Sequence, residues 1–190
     1  MTFFGLSELE SYSSPLTGAE AGLFEHIKSR IVLAEGLEMF GGGFILNEEY
    51  AIIHSALGGK VIDLLKSDGE VIHSIVIHSD EELGLSIVRF HKRPRPEKIY
   101  FNSAIPKNRI CYLVSHEVHL NFMLSECEIL EWSKWVKNHQ IEPVYEEGII
   151  GCPVYNASAQ LMGITIGTEE DTIVCLDIMT IARYIQEVIK

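Results

Sequence analysis

The chain has 190 residues, of which 47% are hydrophobic and 22% charged, and its formal net charge is -12 at pH 7. Such a chain is typical of one folded body, and no run approaches the roughly 18 apolar residues that a membrane span needs. Because phosphate binding requires a basic face, the charge argues against nucleic acid as a partner. Residues 1–14 lack the basic and apolar regions of a secretory signal, so we expect a cytoplasmic protein.

One helix and a series of short strands are predicted for the first half of the chain. Thr17 stands in a capping position three residues before Glu20, and apolar residues recur at helical spacing from Leu23 to Ile31. Apolar runs then predict strands at 31–34, 43–46, 50–53, 61–65, 71–77 and 83–88. The turns between them carry glycine, asparagine or the Ser-Asp-Gly hairpin signal at 67–69.

The second half repeats this pattern after a connector. Residues 92–98 are basic and interrupted by proline, which predicts an extended linker. Further strands are predicted at 109–115, 120–129, 153–155, 160–166 and 172–176. In the polar stretch 132–140, Trp132 and Trp135 either anchor the insert to the sheet or contact a partner. Asp177 is placed to cap a C-terminal helix, so we predict a mainly β fold with a helix near each end.

Three landmarks containing glycine follow one another along the chain. The first is a glycine-rich strand at 41–47 with a tyrosine-containing strand at 50–56. The second is the hairpin at 64–70 with the Glu-Leu-Gly-Leu segment at 82–85, and the third is the loop at 148–154 with the strand at 161–164. In this order and spacing they resemble the first-barrel hairpin, the aspartate segment and the nucleophile loop of HtrA-type, trypsin-like serine proteases.

This resemblance implies a fold and an organisation for the whole chain. The fold is the chymotrypsin/HtrA-like double β-barrel, mainly β, with an N-terminal and a C-terminal helix. Residues 1–190 then form one protease-fold domain, with a first barrel at 23–91, a second barrel at 98–176 and the C-terminal helix at 177–190.

The resemblance also implies which residues occupy the catalytic positions. Ala56 stands in the place of the histidine, Glu82 in that of the aspartate and Ile150 in that of the serine. Acyl transfer needs a nucleophilic atom and a base that takes its proton, and alanine and isoleucine supply neither. The resemblance therefore implies a pseudoprotease without a cofactor, which binds a protein or peptide in a regulatory or assembly role.

Two catalytic alternatives stay open at this point. The first is a diverged cysteine peptidase that pairs Cys152 with His54, although each lies two positions from the family site, a shift of roughly 6–7 Å along a strand. The second is a metal site at His116 and His119, where the His-Glu-x-His spacing is one residue short of a zincin helix. The cysteines form no C-x-x-C pair and are expected to be buried thiols: Cys111, Cys127, Cys152 and Cys175.

Overall fold

The computed structural model describes residues 20–37, 39–116, 122–131, 134–137, 150–170 and 172–190. Within these ranges the chain is mainly β, as the sequence predicts. The strands are β1 Ile31–Glu35, β2 Phe40–Ile45, β3 Tyr50–His54, β4 Val61–Lys66, β5 Val71–Asp80, β6 Leu85–Phe90, β7 Tyr100–Phe101, β8 Ile110–His116, β9 Phe122–Glu131, β10 Lys134–Lys137, β11 Pro153–Tyr155, β12 Gln160–Glu169 and β13 Thr172–Asp177. The helices are α1 Glu20–Ile27 and α2 Ile178–Val188.

The first six strands form a closed barrel in the order β1-β2-β3-β6-β5-β4. Every neighbouring pair is antiparallel, and β1 closes the barrel by pairing with both β2 and β4. Alternation along the strands sends one side-chain set inward, as Ile62 and Leu64 of β4 show, and leaves Val61 exposed. Closure pairs the backbone of every strand on both sides, so this barrel offers no free edge.

The remaining strands form a second sheet in the order β11-β8-β9-β10-β13-β12-β7. β11 pairs with β12 as well as with β8, so six of these strands make a continuous ring of pairings, and β7 adds to β12 in parallel. The apolar interior of this sheet contains all four cysteines of the chain, which are buried thiols that form no disulfide, as the sequence predicts.

Both helices pack on one apolar cluster that also includes residues from both sheets, among them Ile52 and Ile164. Asp177 caps α2, because its side chain accepts a hydrogen bond from Met179 N at 3.1 Å. This confirms the predicted cap.

The connector between the sheets is held against the first barrel. The buried Arg30 donates from Nη1 to the carbonyl oxygens of Ile45 and Leu46 at 3.0 and 2.8 Å, and from Nε to that of Glu97 at 2.7 Å. Arg93 N donates to Glu48 O at 3.0 Å. The predicted linker at 92–98 is therefore extended but attached.

The structure departs from the predicted elements at several boundaries. The helical pattern ends at Ile27, so residue 23, the predicted start of the first barrel, lies in α1, whereas Thr17 lies outside the described residues. The strand predicted from residue 83 begins at Leu85, because Asp80 Oδ1 accepts from Leu83 N at 2.9 Å and holds a turn. β7 and β10 have no counterpart in the predicted strands.

Candidate functional site

The loop that carries the predicted nucleophile position packs against the glycine-rich strand β2, backbone to backbone. Gly42 N donates to Ile150 O at 2.8 Å. A Cβ on Gly42 would lie 2.8 Å from Cys152 Cα and 2.9 Å from Gly151 O. Gly151 has a φ of 73° and would place a Cβ 2.3 Å from Gly42 O. Only glycines allow the first barrel and this loop to approach so closely.

Of the predicted triad positions, Ile150 lies at this contact, and Ala56 lies directly after β3. Ala56 is exposed in a 3-10 turn, Ser55–Leu57, directly after β3. Ile150 is only 8% exposed and belongs, with Leu57, to the apolar cluster inside the first barrel. A Cβ on Gly41 would touch both side chains, at 3.0 Å from Ile150 Cγ1 and 3.5 Å from Leu57 Cδ2. An aliphatic group therefore fills the place predicted for the nucleophile.

Glu82 is exposed and lies in the turn between β5 and β6, whereas Gly84 faces the end of β3. A Cβ on Gly84 would lie 3.1 Å from His54 Nε2 and 3.6 Å from Ile166 Cβ. The residue that this turn presents to His54 is thus a glycine, which has no carboxylate.

His54 ends β3, is 8% exposed, and uses both ring nitrogens in local hydrogen bonds. Nε2 lies 2.8 Å from Ile166 O, and because a carbonyl oxygen only accepts, Nε2 carries the proton. Nδ1 accepts from Ala56 N at 2.9 Å. Burial lowers the pKa of His54, and the hydrogen bond to the Ile166 carbonyl opposes this in part. The ring is therefore neutral, and its one lone pair is already engaged.

Cys152 is fully buried, and its thiol is held within the same loop. Its Sγ lies 3.8 Å from Ile150 O and its backbone N donates to Thr165 Oγ1 at 3.0 Å. Burial raises the pKa of the Cys152 thiol to about 12, and contacts with Thr165 and Gly42 reduce this effect. Since the thiolate is the reactive form, Cys152 is a poor nucleophile near neutral pH.

The described residues contain no group of three or more histidine, cysteine or acidic side chains placed to hold a metal ion. His116 ends β8, but its side chain and residues 117–121 lie outside the described part, so the predicted pair of His116 and His119 stays a prediction. Trp132 also lies outside it. Trp135 is in β10 and its backbone pairs with Ile129 and Ile173.

Sequence reasoning missed the places of Gly84 and Ile166 beside the His54 ring. Neither carries a functional group, so composition and motif offer no signal for them. Gly84 is placed by the register of β3 against β6, where His54 lies opposite Leu85, and Ile166 lies in β12 of the second sheet. This register is a property of the fold and not of any local sequence.

The chain forms a closed six-stranded barrel and a second β-sheet, which meet where the glycine-rich strand contacts a Gly-x-Pro loop. This fold is similar to that of trypsin-like serine proteases, as three solved structures show. Rv3671c protease in its inactive form shares 14% identity and a TM-score of 0.75, covering 95% of this chain and 100% of its own. The serine endoprotease from Yersinia pestis shares 14% identity and a TM-score of 0.75, covering 92% and 68%. A serine-to-alanine mutant of Rv3671c from M. tuberculosis H37Rv, also inactive, shares 17% identity and a TM-score of 0.73, covering 94% and 96%.

At these identities the likeness concerns the fold alone. No protein-family model matches the chain, and no curated protein matches it. In the part of the chain that the structure describes, neither helix has the length and apolar character that crossing a membrane requires.

Proposed function

We propose that this chain is a pseudoprotease, a non-catalytic protein with the double-barrel protease fold that binds a protein or peptide in a regulatory or assembly role. The observation that carries the proposal is the environment of Ile150, whose side chain is buried in the apolar cluster of the first barrel. By the resemblance of the sequence motifs, Ala56 takes the position of the base and Glu82 that of the aspartate.

Cys152 and His54 carry suitable functional groups near this position, but neither group is available for catalysis. Deprotonation of Cys152 would leave a thiolate in an apolar interior, which is why its pKa is raised to about 12. His54 has no free lone pair with which to accept the proton, because Nδ1 accepts from Ala56 N. A thiol-imidazole pair would require both groups to leave their present partners, which argues against the cysteine-peptidase alternative.

Two backbone N–H groups of the loop already donate hydrogen bonds to β12. Gly151 N donates to Thr165 O at 2.7 Å, and Cys152 N donates to Thr165 Oγ1 at 3.0 Å. Stabilisation of an oxyanion needs N–H groups that point at the developing charge. The two amides that follow Ile150 could serve an oxyanion only after their bonds to β12 are broken.

A binding role is supported by surface features of the fold that do not depend on catalysis. A protease fold does not by itself supply an activity, and its loops and surfaces serve many functions. Large aliphatic side chains on the outer face of the first barrel are exposed, among them Val61 and Ile75. Exposed apolar patches of this kind are typical of interaction surfaces.

Active-site probes test the non-catalytic assignment directly. We expect no labelling by a fluorophosphonate, and slow labelling of Cys152 by iodoacetamide, no faster than that of the buried Cys175 in the same molecule. Urea-unfolded chain, in which every thiol reacts, provides the positive control for the probe.

A matched pair of variants distinguishes a Cys152 thiol activated by His54 from a thiol that is merely exposed to solvent. His54→Ala removes the imidazole of β3 at this loop contact, whereas His73→Ala removes an exposed imidazole on β5. Rapid, selective labelling of Cys152 that disappears in His54→Ala and persists in His73→Ala would establish a cysteine nucleophile and refute the proposal.

A further inference from the structure

A wide groove of about 610 Å³ opens on the outer face of the first barrel, on β4, β5 and the end of β6. The register pairs Val61 with Ile75 and Ile75 with Arg89, which places these three side chains in one row across three strands. They point outward, because the alternate residues Ile62 and Ser74 are buried. The groove is therefore a surface of the sheet and has no part in the contact at Ile150.

The floor of the groove is aliphatic and well exposed. Val61 is 63% exposed and Ile75 is 54% exposed. Val71, two pairs along the same face of β5, is also exposed. Val61 and Ile75 are paired across β4 and β5, so they present adjoining apolar surface to solvent, and covering it with a partner is favourable.

One side of the groove is basic, in contrast to the net charge of -12 of the whole chain. Arg89, His91 and Lys92 line it and are exposed, whereas Glu49 is its one acidic lining residue. Within the described ranges, neither Arg89 nor Lys92 forms a salt bridge. Their charges are therefore available to a ligand that approaches from solvent.

We propose that this groove binds an extended, acidic peptide segment whose aliphatic side chains lie on Val61 and Ile75 while its carboxylates face Arg89 and Lys92. The proposal rests on the proposed function as a peptide-binding protein and specifies its surface and its ligand. Charge complementarity selects the acidic class, because a basic or neutral segment would leave the cationic side unmatched. The apolar floor selects a segment that carries aliphatic side chains as well as carboxylates over a polyanion, and an extended segment exposes both kinds of side chain along its length.

The test uses the full chain and three fluorescein-labelled nonapeptides in fluorescence anisotropy. The first peptide alternates glutamate and isoleucine, the second lysine and isoleucine, and the third glutamate and serine. We expect binding of the first peptide only, weakened several-fold when NaCl is raised from 50 to 500 mM, since exposed charge pairs are screened by salt.

Two variants of the groove and two matched controls locate the binding site. The double variant Arg89→Glu/Lys92→Glu should weaken binding roughly tenfold or more, as two exposed pairs are lost and repulsion replaces them. Ile75→Thr keeps the β-branched shape and should weaken it roughly fivefold through lost apolar contact. Arg183→Glu/Lys190→Glu and Met179→Thr make the same changes at exposed positions on and after α2 and should leave affinity unchanged.

Several outcomes would overturn the assignment. The first is that the glutamate-isoleucine peptide does not bind at 1 mM peptide. The second is that the lysine-isoleucine peptide, the glutamate-serine peptide or a labelled oligothymidylate binds equally well. The third is that the groove variants and the control variants lose the same affinity. A wild-type dimer in sedimentation velocity that Ile75→Thr dissociates would place a second copy in the groove instead. The probe labelling described above judges the non-catalytic assignment independently, so the two proposals can fail separately.

Discussion

Replacing Gly42 by alanine tests whether the first barrel and the loop at Ile150 form a rigid contact. The added Cβ would lie 2.8 Å from Cys152 Cα and 2.9 Å from both Cys152 Sγ and Gly151 O. Two of these atoms belong to the backbone, which cannot rotate away as a side chain can. The loop is also tied to β2 by the bond from Gly42 N to Ile150 O at 2.8 Å, so relief of the overlap strains that bond.

The expected cost of Gly42→Ala is about 1–3 kcal/mol, the usual range for one methyl group forced into a packed interior. For a chain of this length each kcal/mol corresponds to about 2–4 °C in Tm. Urea unfolding followed by far-UV circular dichroism measures the change, and a constant m value would show that the unfolded state is unaffected.

Gly22→Ala is the matched control, because a Cβ at Gly22 meets nothing within 4 Å and the residue lies inside α1. This variant should be stabilised by up to about 1 kcal/mol, the helix-propensity difference between the two residues. If Gly42→Ala matched wild type, the barrel and the loop would be able to separate at little cost, and the contact described here would not be a rigid one.

Two further predictions concern His54 and Asp177, the residue that caps α2. Burial holds the pKa of His54 below its ordinary value of 6.5, so the imidazole of the unfolded chain binds a proton first as the pH falls. The contribution of His54 to the free energy of unfolding is therefore complete above about pH 6.5. Below that pH it is lost, by at most about 1.4 kcal/mol per pH unit. Urea midpoints between pH 5 and 8 should show a shallower acid decline for His54→Gln than for wild type, and parallel curves would refute the neutral buried ring. Asp177→Ala should destabilise by about 1 kcal/mol through loss of the α2 cap, whereas Asp177→Asn, which keeps an acceptor for Met179 N, should lose much less; equal losses would mean that the cap is not the cause.

Much of the fold was predictable because strand formation leaves a local signal. Alternating or continuous apolar residues bounded by turn residues predicted β4 and β11. In the structure Ile62 and Leu64 of β4 and all three residues of β11 are buried. β7 has only two residues and exists because Tyr100 and Phe101 align with the start of β12. β10 lies in a stretch whose sequence has no apolar alternation, and its pairing with β9 and β13 is a tertiary effect.

The candidate site was predictable to a smaller extent. The landmarks lead to Ile150, whose side chain is buried in the structure. The partners of His54 were not predictable, because the carbonyl of Ile166 and the space above Gly84 have no signature in the chain. A side chain's hydrogen bonds to distant backbone atoms depend on strand register, which a single sequence does not fix.

The anchoring of the connector has a consequence for how such chains can diverge. Arg30 holds Ile45, Leu46 and Glu97 through their main-chain oxygens, and every amino acid has that oxygen. The residue types at those three positions can therefore change without loss of these hydrogen bonds. A lysine at position 30 would lack the planar guanidinium group that donates to several acceptors at once. Among homologues we expect the arginine to persist while its partners vary.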